Sequence, residues 1–380
     1  MTGDLVLTNA RLVMRDETVL GTVLVIDGLI AEVDRDRRTR PGAVDLNGDY
    51  VVPGVVELHT DTLDKHALPR PGMRWPETAA VLAHDAQLAA AGITTVLDSL
   101  AVGYLVDAGQ RPMDPRPLAH AIARAQRAGL LRCEHFLHLR CEVSTEFVVE
   151  DVEPLAGDPL VRLASLMDHS PGQQQFESVD KYCEYNQGRY GLSDARIAAL
   201  IAQRTEDREK YAEKHRAAII DLCHKHGIPL ATHDDATARH VEEAAEAGGV
   251  IAEFPTTLEA ARAARRLGLA VVAGAPNLVC GRSHAGNVSA SELAVNGLID
   301  VLSSDYVPAS ALHGAFLLNH RYGVPLPAAI GTVTLAPARL LGFDDRGEIA
   351  PGKRADLVRA RWVGGLPILD GVWRQGCRIA

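Results

Sequence analysis

The stretch VVPGVVELHTD, residues 51–61, decides the fold of this sequence. A Pro-Gly turn pair is followed by an apolar strand that ends in histidine and aspartate. Side chains two residues apart on a strand share a face, so His59 and Asp61 are predicted to point the same way. Parallel α/β folds place their active sites at the carboxyl ends of such strands.

The central part of the chain repeats this strand pattern, with helical patterns between most of the strands. The strand-like runs are Val55–Asp61, Ile93–Asp98, His135–Glu142, Arg162–Asp168, Ile228–His233, Val250–Phe254, Leu269–Gly274 and Ile299–Asp305. The helical patterns are Thr78–Ala91, Pro115–Ala128, Asp194–His226 and Ala236–Ala247. Ser193 is a plausible N-cap of the longest helix and Gly227 its stop. Strands separated by helices pair in parallel, and this number of strands closes a (β/α)8 barrel. An open doubly wound sheet is the alternative, which the lack of GxGxxG after the first strand weakens.

Both ends of the chain read differently from the middle, because they contain short strands joined by turns. Residues 1–54 and 345–380 are therefore predicted to form one small β-sandwich domain, since chain ends often lie close together. Residues 55–344 are predicted to form the barrel. The predicted fold class is α/β: a (β/α)8 TIM-like barrel with this small β domain.

Composition excludes several classes of function. Lys and Arg number 39 against 49 Asp and Glu, a net charge of −10, which argues against nucleic-acid binding. No run approaches the roughly 18 apolar residues of a membrane helix. The six cysteines include no CxxC pair, which favours reduced thiols in a cytoplasmic protein. The sequence leaves a homo-oligomer open.

Imidazoles and carboxylates collect at the ends of five predicted strands. Nitrogen and carboxylate ligands of this kind suit Zn²⁺ or Mn²⁺. Glu142 is the natural bridging carboxylate if two metals bind. Asp168 and His169 point in opposite directions, so only one of them faces inward. The residues of interest are His59, Asp61, Glu142, Asp168, His169, His233 and Asp305.

The entry into the barrel, residues 49–61, resembles the amidohydrolase superfamily, whose first barrel strand follows Pro-Gly and ends in His-x-His. Gly347–Val358 resembles the return of the chain into that superfamily's small β domain. The sequence is similar throughout to one branch, the metal-dependent diphosphatases of the carbon–phosphorus lyase (phosphonate) pathway. The segments that carry this match are Glu57–Pro71, Gly92–Asp98, His135–Glu142, Ser165–Phe176, Thr232–Thr237, Ile251–Thr257, Gly274–Asn277, Ser283–Glu292, Leu302–Ala309 and Trp373–Gly376.

The resemblance implies hydrolysis of a small phosphorylated ribose, α-D-ribose 1-methylphosphonate 5-triphosphate, to the 5-phosphate and diphosphate. It implies one or two zinc ions, with manganese or iron as alternatives. The sequence departs from the superfamily in having no histidine on the sixth strand, so either Glu253 or His169 completes the second metal's shell. The predicted metal ligands are His59, Asp61, Glu142, His169 and His233.

Asp305 is the predicted catalytic base, which takes a proton from a metal-activated water. Cations must neutralise the anionic substrate, and loops after the last strands of a barrel frequently hold phosphate. The predicted substrate-binding residues are Lys65, Arg70, Arg140, His284 and Asn287. The rival hypotheses are an amidohydrolase that cleaves a cyclic amide or deaminates a base, and a binding protein without activity.

Overall fold

The computed structural model describes most of the chain and confirms the predicted fold class. The described residues are 4–36, 42–70, 72–103, 114–176, 178–180, 182–183, 187, 192–283 and 286–380.

The two ends of the chain meet in one small β domain, as predicted. Its strands are β1 (Leu5–Val13), β2 (Thr18–Ile26), β3 (Leu29–Asp34), β4 (Val44–Asp45), β5 (Tyr50–Pro53), β14 (Leu357–Val363), β15 (Leu366–Arg374) and β16 (Cys377–Arg378). These strands form a single hydrogen-bonded sheet that curls around its own apolar core. Strand β3 contacts the segment that precedes β14, where the Ile30 N–H donates to the Lys353 carbonyl at 2.8 Å. We propose that the boundaries between this domain and the barrel lie at residues 54 and 345, because β5 ends at Pro53 and β6 begins at Val55.

The middle of the chain forms a parallel eight-stranded barrel. Its strands are β6 (Val55–Thr60), β7 (Ile93–Val102), β8 (Glu134–Glu142), β9 (Val161–Met167), β10 (Leu230–His233), β11 (Gly249–Glu253), β12 (Ala270–Gly274) and β13 (Val301–Ser303). Each strand pairs in parallel with the next along the chain. The ring closes between Thr60 and Asp305, which form a parallel bridge, and the Asp305 N–H donates to the His59 carbonyl at 3.1 Å.

Helices surround the barrel and follow most of its strands. They are α1 (Thr62–Ala67), α2 (Glu77–Ala90), α3 (Arg116–Arg127), α4 (Val148–Ala156), α5 (Asp194–His226), α6 (Ala238–Glu246), α7 (Leu258–Leu267), α8 (Ala275–Cys280), α9 (Ala290–Val295), α10 (Ser310–Tyr322), α11 (Leu326–Gly331) and α12 (Leu335–Leu340). The caps predicted for α5 are confirmed, because Ser193 accepts the Arg196 N–H and Gly227 has φ +66°. Among the described helices, none has the length and apolar character needed to cross a membrane.

A bulge in β6 prepares the site. Leu58 belongs to an apolar cluster to which all eight barrel strands contribute. The pairing register with β7 shifts between Glu57 and Thr60, which interrupts the strict alternation of β6. Bulges next to active sites re-aim side chains, and here His59 also contacts Glu253 inside the barrel.

A buried network of ionisable residues lies on the outer face of the barrel, between α2, β7 and β8. The two ring nitrogens of His135 contact Asp98 Oδ2 at 2.7 Å and Asp85 Oδ1 at 3.3 Å. His84 Nε2 lies 2.8 Å from the other oxygen of Asp98. Burial by itself lowers the pKa of His135, but the two carboxylates raise it to about 9. The folded protein therefore holds a buried imidazolium between two aspartates.

This network makes a prediction about stability against pH. Because the folded-state pKa of His135 is raised to about 9, its contribution is complete below the unfolded value and is lost as the pH rises towards 9. His135 should account for about 3 kcal/mol of the fall in the free energy of unfolding in urea between about pH 6 and about pH 9.5. The variant His135→Gln should be less stable at the lower pH and should lose this share of the pH dependence, while the share of His169, whose pKa is also raised, remains. Replacement of the exposed His226 by Gln is the matched control, and an equal loss of pH dependence in that variant would refute the assignment.

Candidate metal centre and active site

Glu253, at the end of β11, lies at the centre of the barrel mouth and is completely buried. Its Oε1 accepts from His59 Nδ1 at 3.0 Å, and its Oε2 accepts from His233 Nδ1 at 3.2 Å. Ser165 donates its hydroxyl to Oε2 at 2.6 Å. Burial alone would raise the pKa of Glu253, but the imidazoles of His138 and His59 hold it well below its usual range. Glu253 is therefore a carboxylate that binds histidine N–H groups.

This contact sets the orientation of two histidine rings. A carboxylate only accepts, so His59 and His233 each carry hydrogen on Nδ1 and keep the Nε2 lone pair for another partner. Their rings are stacked with centroids 5.4 Å apart. Histidine ligands of metals characteristically donate their other N–H to a carboxylate in this way. The arrangement prepares both Nε2 atoms for a metal ion.

A second carboxylate holds His169, which follows β9. His169 Nδ1 lies 2.6 Å from Glu142 Oε2, and the His169 backbone N–H donates to Oε1 at 2.9 Å. Burial lowers the pKa of His169, but Glu142 and Asp234 raise it to about 10. Glu142 thus contacts an imidazole as Glu253 does, and its predicted bridging role stays a proposal.

Asp234 brings the two histidines of this side together. Its Oδ2 lies 3.6 Å from His169 Nε2 and 3.5 Å from His233 Nε2. The sequence left open whether Glu253 or His169 completes the second shell. The geometry favours His169 as a ligand, because its Nε2 faces Asp234 and His233, whereas Glu253 faces Nδ1 atoms.

The donor atoms in the mouth fit a divalent metal. In two groups of three residues, the potential ligand atoms all lie within 4.8 Å of one another. These groups are His59, His138 and Glu253, and His169, His233 and Asp234. In the first group His59 already binds Glu253 through Nδ1, so the second group is the better candidate for a metal. Asp61 occupies the N-cap position of α1 but makes no cap hydrogen bond, and its buried Oδ1 has no hydrogen-bond partner among the described residues. Buried carboxylate oxygen beside imidazole nitrogen is the donor set that zinc, manganese and iron accept.

Asp305, the predicted base, lies in the mouth two residues after β13 ends at Ser303. Its backbone has φ +50°, a conformation uncommon for residues other than glycine. Burial and the nearby Asp61 raise the pKa of Asp305 to about 7, against the opposing effects of His59 and Arg140. A carboxyl group with a pKa near neutrality suits proton transfer.

Two predicted cations lie at the mouth at different depths. Arg140 is half-buried, and its Nη1 is 4.0 Å from Asp61 Oδ2. Lys65 is exposed on α1. It donates to the Tyr306 carbonyl at 3.0 Å and so links α1 to the loop after β13. The structure places Arg140 inside the site and Lys65 on its rim.

The other predicted substrate-binding residues are placed less closely. Arg70 is exposed in the loop after α1. Asn287 is half-buried in the loop between α8 and α9. His284 lies outside the residues that the structure describes.

Asp234 is the site residue that sequence reasoning did not assign. On a regular strand it would point away from the side chain of His233. Its backbone has φ +57°, which turns the side chain back towards the mouth. Strand periodicity gives no signal for this, and its only mark in the sequence is its position directly after a strand-end histidine.

Comparison with known proteins agrees with this fold. The sequence profile described as "Amidohydrolase family" matches residues 85–360. The chain belongs to the amidohydrolase family, a family of metal-dependent hydrolases. Within it, the chain is 45% identical to the α-D-ribose 1-methylphosphonate 5-triphosphate diphosphatase of Escherichia coli strain K12, over 99% of this chain and 100% of that protein.

Solved structures share the architecture at much lower identity. The 5-methylcytosine deaminase of Klebsiella pneumoniae superposes with a TM-score of 0.65 at 16% identity, covering 99% of this chain and 98% of that one. The N-acetyl-D-glucosamine-6-phosphate deacetylase of Mycobacterium smegmatis gives 0.63 at 18% identity, covering 100% of both chains. At these identities the likeness shows the fold alone.

The role of Glu253 makes a prediction about metal affinity. Glu253→Gln keeps the shape of the side chain but removes the charge that orients the rings of His59 and His233. Loss of such an outer carboxylate should weaken metal binding by about 10- to 100-fold, measured by competition with a chromophoric chelator. The exposed Glu242→Gln variant is the control and should bind metal like the wild type. Equal affinity in both variants would show that Glu253 does not support the ligands.

Proposed function

We propose that this chain hydrolyses α-D-ribose 1-methylphosphonate 5-triphosphate to the 5-phosphate and diphosphate, a step of phosphonate catabolism. The observation that carries the proposal is the 45% identity that spans both chains from end to end. The mouth of the barrel supports it, because donor atoms for a metal lie beside a carboxyl group suited to proton transfer.

The proposed cofactor is one or two divalent metal ions, with zinc as the first choice and manganese or iron as alternatives. The proposed ligands are His59, Asp61, Glu142, His169 and His233, with Asp234 added by the geometry. When bound, such a metal supplies Lewis-acid activation of water near neutral pH.

The protein's own part in the chemistry is to move a proton and to hold charge. In the proposed reaction a water oxygen bonds to the α-phosphorus, and the bond from that phosphorus to the oxygen shared with the β-phosphorus breaks. Asp305 accepts the proton of the water and passes it to solvent or to the leaving diphosphate. The positive φ of Asp305 and its bridge to Thr60 hold this carboxylate at the closing point of the barrel.

Cations must offset the charge of the triphosphate as the bond breaks. Arg140 supports this role best, because it is half-buried inside the mouth beside Asp61. Lys65 and Arg70 would meet the substrate at the rim. Asn287 and His284 are proposed for the phosphate-bearing loop.

We also infer a cytoplasmic enzyme with a small-molecule substrate and no nucleic-acid partner. The six cysteines are all free, which fits a reducing compartment. The net charge of −10 works against nucleic-acid binding.

The activity is tested by diphosphate release from the ribose triphosphate with metal-loaded enzyme. Asp305→Asn should lower kcat by about a thousandfold, because the amide cannot accept the proton. The variant should keep its metal, checked by elemental analysis. The exposed Asp344→Asn variant is the matched control and should release diphosphate at the wild-type rate.

Parallel assays with hydantoin, dihydroorotate and adenine address the rival function. Turnover of an amide or a base without diphosphate release would reject the proposal in favour of an amidohydrolase. No turnover of any substrate by the metal-loaded wild type would reject both.

A further inference from the structure

We infer that Thr60 is a positioning residue for Asp305, and that a buried hydrogen-bond chain behind Thr60 holds it in place. This inference rests on the proposed function, in which Asp305 moves the proton. Thr60 contacts neither the predicted metal ligands' donor atoms nor the predicted substrate-binding side chains in any described hydrogen bond.

Asp305 needs to be held because its backbone is strained. A non-glycine residue at φ +50° persists only where its surroundings determine its conformation. The Asp305 N–H donates to the His59 carbonyl at 3.1 Å, and the Asp305 carbonyl accepts the Thr60 hydroxyl at 3.0 Å. Both backbone polar groups of Asp305 are thus bound by strand β6, one by main chain and one by the side chain of Thr60.

The Thr60 hydroxyl is itself held from behind. It lies 2.9 Å from the hydroxyl of Thr62, which lies 3.2 Å from His84 Nδ1. The chain continues from His84 Nε2 to Asp98 at 2.8 Å and so joins the network around His135. None of these five side chains belongs to a residue more than 2% exposed.

Counting hydrogens shows what this chain does. Burial lowers the pKa of His84, so the ring is neutral, and its Nε2–H donates to the Asp98 carboxylate. His84 Nδ1 then accepts the hydrogen of Thr62. The Thr62 hydroxyl has no second hydrogen, so it can only accept from Thr60. The single Thr60 hydrogen is therefore shared between two acceptors, the Thr62 oxygen and the Asp305 carbonyl. The rotamer of Thr60 is fixed by both contacts.

A second threonine, Thr94, provides a control that distinguishes the positioning of Asp305 from a general contribution to barrel stability. Thr94 is as buried as Thr60 and donates to the Val55 carbonyl, 3.5 Å away, at the opposite end of the same strand β6. The two side chains make the same kind of bond to barrel backbone. Thr60 alone of this pair touches Asp305.

The experiment compares Thr60→Val, Thr60→Ser and Thr94→Val in the metal-loaded enzyme. Thr60→Val keeps the shape and removes the hydroxyl, so kcat for diphosphate release should fall by about tenfold or more while KM stays within about twofold. Thr60→Ser keeps the hydroxyl and should restore kcat to within about threefold of the wild type. Thr94→Val should keep the wild-type kcat, even with a similar loss of thermal stability.

Two outcomes overturn the inference. One is a kcat in Thr60→Val no lower than in Thr94→Val. The other is loss of metal from Thr60→Val in proportion to the loss of activity, because Thr60 would then act through the metal site.

A crystal structure of Thr60→Val supplies a readout that does not depend on activity. Asp305 should leave positive φ or become disordered there, and should keep it in Thr60→Ser. An unchanged Asp305 backbone in Thr60→Val overturns the inference. Failure of the proposed function is distinguished from this, because it shows in the wild type as absence of diphosphate release.

Discussion

The barrel mouth depends on the burial of one carboxylate, Glu253, among imidazoles. Removing a carboxylate from water costs on the order of several kcal/mol unless hydrogen-bond donors replace the water. Here the donors are Nδ1 of His59, Nδ1 of His233 and the hydroxyl of Ser165. Since Glu253 must keep these donors, it dictates which nitrogen of each ring carries hydrogen. The same contact that stabilises the carboxylate in the interior therefore directs the nitrogens that are proposed to bind metal.

Three strand ends of this barrel share a second constraint, which is a left-handed residue one or two positions after the strand. Asp234, Phe254 and Asp305 have φ of 57°, 53° and 50°. Their N–H groups donate to carbonyls of the next strand around the ring, at Glu253, Val272 and His59. The ladder thus extends one residue further while the side chain turns away from the strand's alternation. Strain of this kind at a strand end is a means of presenting two adjacent side chains to one site.

Local signals explain what could be predicted from the sequence. Helix α5 begins and ends at the predicted residues because its caps, Ser193 and Gly227, are encoded next to it. His59 and His233 could be predicted as site residues because strand periodicity places both at the ends of strands. Asp234 could not be predicted in the same way, because its positive φ reverses the direction of its side chain. No pattern in the sequence reports that angle. The choice between Glu253 and His169 as the metal ligand depends on contacts between residues far apart in the sequence. Glu253 faces the Nδ1 atoms of two histidines, whereas His169 turns its own Nε2 towards Asp234.

The same limit hid the outer network of Asp85, Asp98, His84 and His135, because those side chains are adjacent only after α2 packs against β7 and β8. The network and the mouth share one electrostatic requirement, because both bury several carboxylates that need positive charge nearby. The network balances its carboxylates with a buried imidazolium. The mouth holds more acids than its nearby cations, Arg140 and the His169 imidazolium, can balance, namely Asp61, Glu142, Asp234, Glu253 and Asp305. Like charges a few ångströms apart repel strongly in a partly buried site, and a triphosphate adds more of the same sign. A divalent cation is the group that reverses this field, so metal binding and substrate binding are coupled in the proposed enzyme.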